Sequence, residues 1–281
     1  MSQFDEIFNK ASIYDMLFIN VKPVLIHKSL YDLFINDKPM FERWAYISKT
    51  KFKFDVTDKV KPIPDIITSN DESILVVQND IYLKNAVYYP EYTRILSISY
   101  AILHMDNGQK RDMKIITNDN ERIVIETFLT DLILISEARK EAKKESLYTL
   151  CGFNISTHDI PLLIKRFMVY RDKDDDVEQF ITVKELPLII KKSLSIKPWE
   201  SGLIDTANIW KFNGYNDAPL MLIADFLKLK KVDELLPLNE LSEYYWKNIE
   251  LNREDTLDFI GMQSATQMNF SIQMMNIFRK I

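Results

Sequence analysis

The chain has 281 residues, a formal net charge of -5, and 47% hydrophobic and 27% charged residues, which is the composition of a soluble globular protein with one large domain or one and a half. An acidic balance argues against a protein that coats polyanions generically, and no apolar run approaches the ~20 residues of a membrane helix. The single cysteine, Cys151, excludes an internal disulfide framework and a cysteine zinc site, so a cytoplasmic setting is expected, and the start of the chain does not read as a signal peptide.

Residues 1–70 read as an N-terminal α+β extension with no assigned role. Within it, Ile13 to His27 suggests a helix or strand ending near Pro23. Leu30 to Ser48 predicts a helix with Leu30, Leu33, Phe34, Met40, Trp44 and Ile47 on it. Lys51 to Val56 alternates as a half-buried strand does. Pro62 and Pro64 mark a linker. Lys49, Lys51, Lys53, Lys59 and Lys61 interleave with Phe52 and Phe54, a pattern that suits either a solvated strand face or a nucleic-acid contact.

Residues 71–281 read as the main domain. The apolar run Ile74-Leu-Val-Val77 predicts a central strand, and Arg94 to Leu103 alternates as a second strand. Asp106-Asn107-Gly108 is a hairpin turn signal, with Arg111 to Thr117 returning as the third strand. Glu121 to Lys144 predicts a helix, apolar at Ile125, Phe128, Leu129, Leu132 and Ile135, with a basic last turn that complements its dipole. Leu147 to Phe153 predicts a fourth strand. A helix follows, with Asp159 at an N-cap position and Pro161 in the first turn. The acidic run Asp172 to Glu178 lacks the spacing, turn glycine and distal glutamate of a calcium loop and reads as a solvated loop. Leu203 to Thr206 predicts a short strand, and Leu220–Leu229, Leu241–Trp246 and Asp255–Phe278 predict helices. Strands and helices in the order β, β, β, α, β, α predict an α/β fold.

Gly152, Phe153, Asn154, Asp159, Ile160, Pro161 and Arg166 together form a spaced motif at the end of the fourth strand. It resembles the second exonuclease motif of the 3′–5′ exonuclease domains of family B DNA polymerases and their stand-alone, phage-like relatives, with His158 in place of an aromatic. The resemblance covers about residues 70–281. It implies a ribonuclease-H-like mixed β-sheet flanked by helices, of the DEDD superfamily. Active members of that group bind two Mg or Mn ions through four carboxylates.

Carried over residue by residue, the resemblance implies a depleted metal site. The family's first motif ends a central strand with Asp, any residue, Glu; following Ile74–Val77, these positions fall on Gln78 and Asp80. The second motif keeps Asp159. The third, Tyr, three residues, Asp in a late helix, falls on Gln263 and Gln267. Asp205 is a further carboxylate of the kind active relatives carry. Two dications roughly 3.5–4 Å apart need several converging carboxylates, so the resemblance implies a catalytically inactive or impaired protein, without a metal cofactor. It would bind single-stranded nucleic acid or a replication or virion protein, with Asn154 and His158 as nucleic-acid contacts, in the host cytoplasm if phage- or mobile-element-encoded. The alternative is an active Mg- or Mn-dependent exonuclease using Asp80, Asp159 and Asp205. Asp159 as a plain helix cap, Asp80 as a turn residue and His158 as a packed side chain stay open as readings beside these.

Overall fold

The structure, a computed structural model, describes residues 12–51, 72–104, 111–142, 148–171, 182–194, 202–211, 218–230 and 234–280. In chain order its elements are β1 (Met16–Leu25), α1 (Leu30–Asn36), α2 (Lys38–Lys51), α3 (Glu72–Asn85), β2 (Thr93–Leu103), β3 (Arg111–Thr117), α4 (Glu121–Glu141) and β4 (Thr149–Gly152). A π-helical turn (Ile155–Asp159) then leads into α5 (Ile160–Arg171), followed by α6 (Leu188–Ser193), β5 (Leu203–Asp205), α7 (Thr206–Lys211), α8 (Leu220–Phe226), α9 (Leu238–Asn248) and α10 (Arg253–Phe278).

The five strands form one mixed sheet in the order β3-β2-β1-β4-β5. β2 and β3 pair antiparallel from Ser97↔Thr117 to Leu103↔Arg111; β4 lies parallel to β1 and to β5. The fold is α/β, and this order is consistent with a ribonuclease-H-like sheet. The hairpin turn expected at 106–108 lies outside the described residues, but the ladder on either side of it has the register a short connection requires.

The central strand is β1, not Ile74–Val77. All ten residues of β1 are buried. Its alternation sends Leu17, Ile19 and Val21 into one core, with Val124, Phe128 and Leu132 of α4 and Leu163 and Phe167 of α5. Met16 and Phe18 enter a second core with Met268, Ile272 and Met275 of α10. Asn20 and Lys22 continue that second face by the period of two. The run Ile74–Val77 is helical, inside α3. A short apolar run has no periodicity of its own to separate strand from helix.

The contacts gather the chain into two compact units. One comprises Met1–Lys22, Ile95–Leu236 and Asn252–Ile281; the other comprises Pro23–Arg94 and Pro237–Leu251. A division at residue 70 therefore does not describe the chain, since residues before it supply the middle of the sheet. In the second unit Trp44 is the hub. It is fully buried and meets Tyr82, Tyr92 and Tyr89 edge-on, with ring centroids 5.4, 5.3 and 6.0 Å away, the geometry that aromatic quadrupoles favour. Trp246 donates its indole N–H to the Leu25 carbonyl at 3.0 Å, and Tyr245 is buried, so this pair packs rather than offering faces to bases. The Lys51 ammonium sits 5.1 Å from the Tyr89 ring centre. Phe52 to Asp71, and with them most of the basic stretch and the predicted linker, lie outside the described residues, as does the acidic run 172–178.

In the first unit a buried glutamate ties three elements together. Glu121, at the start of α4, accepts the Ile95 N–H of β2 at 2.7 Å, a bidentate pair of bonds from Arg166 of α5, and the Tyr170 hydroxyl at 2.8 Å. A charge taken this far from water is tolerable only when its lone pairs are used in this way. Gly152 is set by closeness: a Cβ there would stand 2.7 Å from the Ile19 carbonyl oxygen of β1. Gly152→Ala must push β4 away from the central strand. The expected loss is about 1–3 kcal/mol, read as a lower midpoint in urea; an unchanged midpoint would show that the strands are not packed this closely.

Candidate functional site

The site is built where the second face of β1 runs out against α10 and the π-helical turn. Asp159 ends that turn and is 1% exposed. Its carboxylate does not cap α5. It accepts the Val21 N–H at 3.1 Å, the Asn20 side-chain amide at 3.3 Å, and pairs with His158 Nδ1 at 2.9 Å. The motif turn is thus fastened to the central strand through this one side chain. Burial pushes the Asp159 pKa above the usual carboxylate value. His158, the Val21 N–H and Lys22 act in the opposite direction.

Lys22 is 2% exposed, rare for a lysine. Its ammonium donates to Gln267 Oε1 of α10 at 2.5 Å. Desolvation lowers its pKa from 10.5 to about 8, and the Asp159 charge opposes that fall. Asn20 Oδ1 is buried and has no hydrogen-bond partner among the described residues. The Asn20 backbone carbonyl accepts the Ser264 hydroxyl at 3.1 Å, and Ser264 in turn meets Ser99 of β2 at 2.9 Å. The centre therefore brings together Asn20, Lys22, Asp159 and Gln267.

Asn20, Val21 and Lys22 follow one another on the central strand β1. Gln78 and Asp80, expected just past a central strand, lie on α3 instead, and Asp80 is exposed. Gln267, by contrast, faces this centre through its bond from Lys22. A strand carrying Asn and Lys does not read as the middle of a core, which is why neither Asn20 nor Lys22 is expected at the site from the residues alone.

The other expected residues have structural work. Gln263 is fully buried; its amide donates to the Glu234 carbonyl and accepts the Leu236 N–H, both at 2.8 Å. Asp205 accepts the Asn154 N–H at 3.0 Å, the Ser156 N–H at 3.1 Å, the Ser156 hydroxyl at 2.5 Å and the Ala207 N–H at 3.0 Å. It organises the motif loop from the end of β5. Asn154 is exposed and sits in the left-handed region, φ 56°, which Asn tolerates better than most residues. His158 is partly exposed and spends Nδ1 on Asp159. Among the described residues no three His, Cys, Asp or Glu side chains come together in a way that could hold a metal ion.

Mg or Mn ions of the two-metal kind would need hard, mostly anionic oxygen ligands. The centre offers one carboxylate, two neutral amides and an ammonium. These residues do not fit such a pair of ions. A cleft of about 280 Å³ at the motif loop is lined by Phe153, Asn154, Thr157, Trp210, Lys211 and Ile223, among others.

No protein-family model matches the chain, and no curated protein shows significant similarity to it. Among the described residues no helix is long and apolar enough to cross a membrane.

Two expectations follow. Lys22 releases its proton in the folded state before it does in the unfolded chain, so between about pH 8 and the ordinary lysine value the unfolded state holds more protons. Stability then rises with pH across that window through this group, and below it the cost of the buried charge is fully present. Urea unfolding of the wild type and Lys22→Met from pH 7 to 10 should show the wild type gaining on the variant as pH rises; parallel curves would refute a depressed Lys22. At Asn154, glycine should leave stability within about 1 kcal/mol of wild type, whereas Asn154→Val should cost about 1–2 kcal/mol. Equal midpoints for the two variants would argue against the left-handed conformation.

Proposed function

We propose that this protein is a non-cleaving binding protein built on an exonuclease-like, ribonuclease-H-like fold, whose cleft at the motif loop receives single-stranded nucleic acid. The observation that carries the reading is the donor set. Where a two-metal nuclease gathers negative charge, this chain has Asn20, Lys22 and Gln267 around a single carboxylate. The resemblance of the Gly152 to Arg166 motif supports the fold family; on that reading Asn20 and Lys22 of the central strand stand at the positions of the first motif's Asp and Glu, and neither carboxylate is kept.

The cleft supports the choice of ligand. Phe153 is buried at its floor, the half-buried Trp210 adds an aromatic ring, Asn154 and Thr157 add hydrogen-bonding groups, and Lys211 adds a cation to its lining. Aromatic faces with a nearby cation hold bases without demanding a sequence. An overall charge of -5 means that such binding is local rather than spread over the surface. The reading implies no membrane partner and no metal cofactor.

The test is a paired assay on labelled single-stranded DNA and RNA with Mg or Mn. No end-shortening is expected at any metal concentration. Binding should weaken with salt, since phosphate contacts release counterions, and Trp210→Ala should weaken it about tenfold, as loss of one stacking platform does. End-shortening that vanishes in Asp159→Ala would instead establish an active exonuclease with an altered ligand set. Absence of both cleavage and salt-sensitive binding would refute the nucleic-acid reading.

A further inference from the structure

We propose that Lys22 is a built-in cation: its ammonium takes over, from within the chain, the neutralising and bridging role that bound metal would have at this centre, linking β1 to α10 through Gln267 and offsetting the charge of Asp159. This rests on the non-cleaving reading of the same centre and adds to it a cause. The site is not merely short of carboxylates; its cationic place is filled.

Three observations lead there. Lys22 lies on the same strand face as Asn20, both are buried, and the Asn20 amide bonds Asp159. The ammonium bonds Gln267 Oε1 at 2.5 Å, so an amide oxygen of α10 is turned toward a positive charge, as a ligand carboxylate would be toward a metal. Asp159 meanwhile keeps its place on β1 through Val21 and Asn20. Replacing an Asp–Glu pair by Asn and Lys changes the side-chain charge at the two strand positions from negative to positive. The two changes belong together. An ammonium beside two additional carboxylates would leave an excess of buried negative charge, and carboxylates without metal would repel one another. With Asn20, Lys22 and Gln267 in place, one positive group faces one negative group, and the amides solvate both.

A buried charge pair is recognised by its coupling rather than by the cost of one deletion, because removing a single partner strands the other while removing both is often tolerated. The experiment is therefore a thermal-denaturation cycle on the full chain: wild type, Lys22→Met, Asp159→Asn and the double variant, each with EDTA and with millimolar MnCl2. Lys22→Met should lower the Tm more in the Asp159 background than in the Asn background, by about 5 °C. The double variant should fold and be at least as stable as Lys22→Met, which keeps the test open if that single variant does not fold. The wild-type Tm should be the same with EDTA and with MnCl2.

The same shift in both backgrounds, to within about 1 °C, would show that Lys22 is packing and not a counter-charge. A saturable rise of the wild-type Tm with MnCl2 that disappears in Asp159→Asn would show that a metal enters beside Lys22, and would overturn the proposal. Neither result depends on turnover. Cleavage of nucleic acid by the wild type, measured separately, bears on the non-cleaving reading, so the two failures are told apart.

Discussion

A carboxylate buried beyond the reach of bulk water must be answered by donors or by charge, and Asp159 is answered from three directions. Val21 and Asn20 of the central strand, His158 beside it and the field of Lys22 all act on one side chain. This requirement fixes where the motif turn sits on β1. On α10, Gln267 and Ser264 bring polar groups to the same strand, bonding Lys22 and the Asn20 carbonyl. The second buried carboxylate, Glu121, plays the matching part on the other side of the sheet, where it joins β2, α4 and α5. The layers of the first unit are thus held in register by two charges as well as by two apolar cores.

Much of this was legible in the residues. β2 and β3 declared themselves by alternation, α4 and α10 by helical spacing, and the motif turn by Gly152, Asn154, Asp159 and Pro161. What could not be read was the central place of the first strand, since Ile13 to His27 suggests a helix or strand without setting it in the middle of the sheet. Its outer half reads as surface because Asn20, Lys22 and Pro23 interrupt the apolar run, whereas Ile74–Val77 looks like a core strand and is helical. Sequence patterning assigns burial to apolar residues, and fails where a buried position has been kept polar for electrostatic reasons. With the central strand expected at Ile74–Val77, the candidate residues after it fell on Gln78 and Asp80, which lie on a helix.

Other residues were seen but given the wrong work. Gln263 reads as a lost catalytic aromatic, yet both ends of its amide close on the backbone of residues 234–236. Asp205 reads as a metal ligand, yet it collects the N–H groups of the motif loop, as a carboxylate does at an N-terminus. Arg139 does stand in the last turn of α4, as its place in the sequence implies, and there it is also buried, bonds Asp15 at 2.6 Å and lies over the Tyr148 ring. In each case the residue type allowed the function, and only the partner, distant in sequence, decided it.

The place of β1 in the chain has a kinetic consequence. Its neighbours in the sheet are β2, from Thr93, and β4, from Thr149. Translation at about 5–20 residues per second completes the parallel β1–β4 pair only on the order of ten seconds after β1 itself has been made. Pairing along that side of β1 therefore waits for a segment far along the chain, the non-local ordering that slows folding.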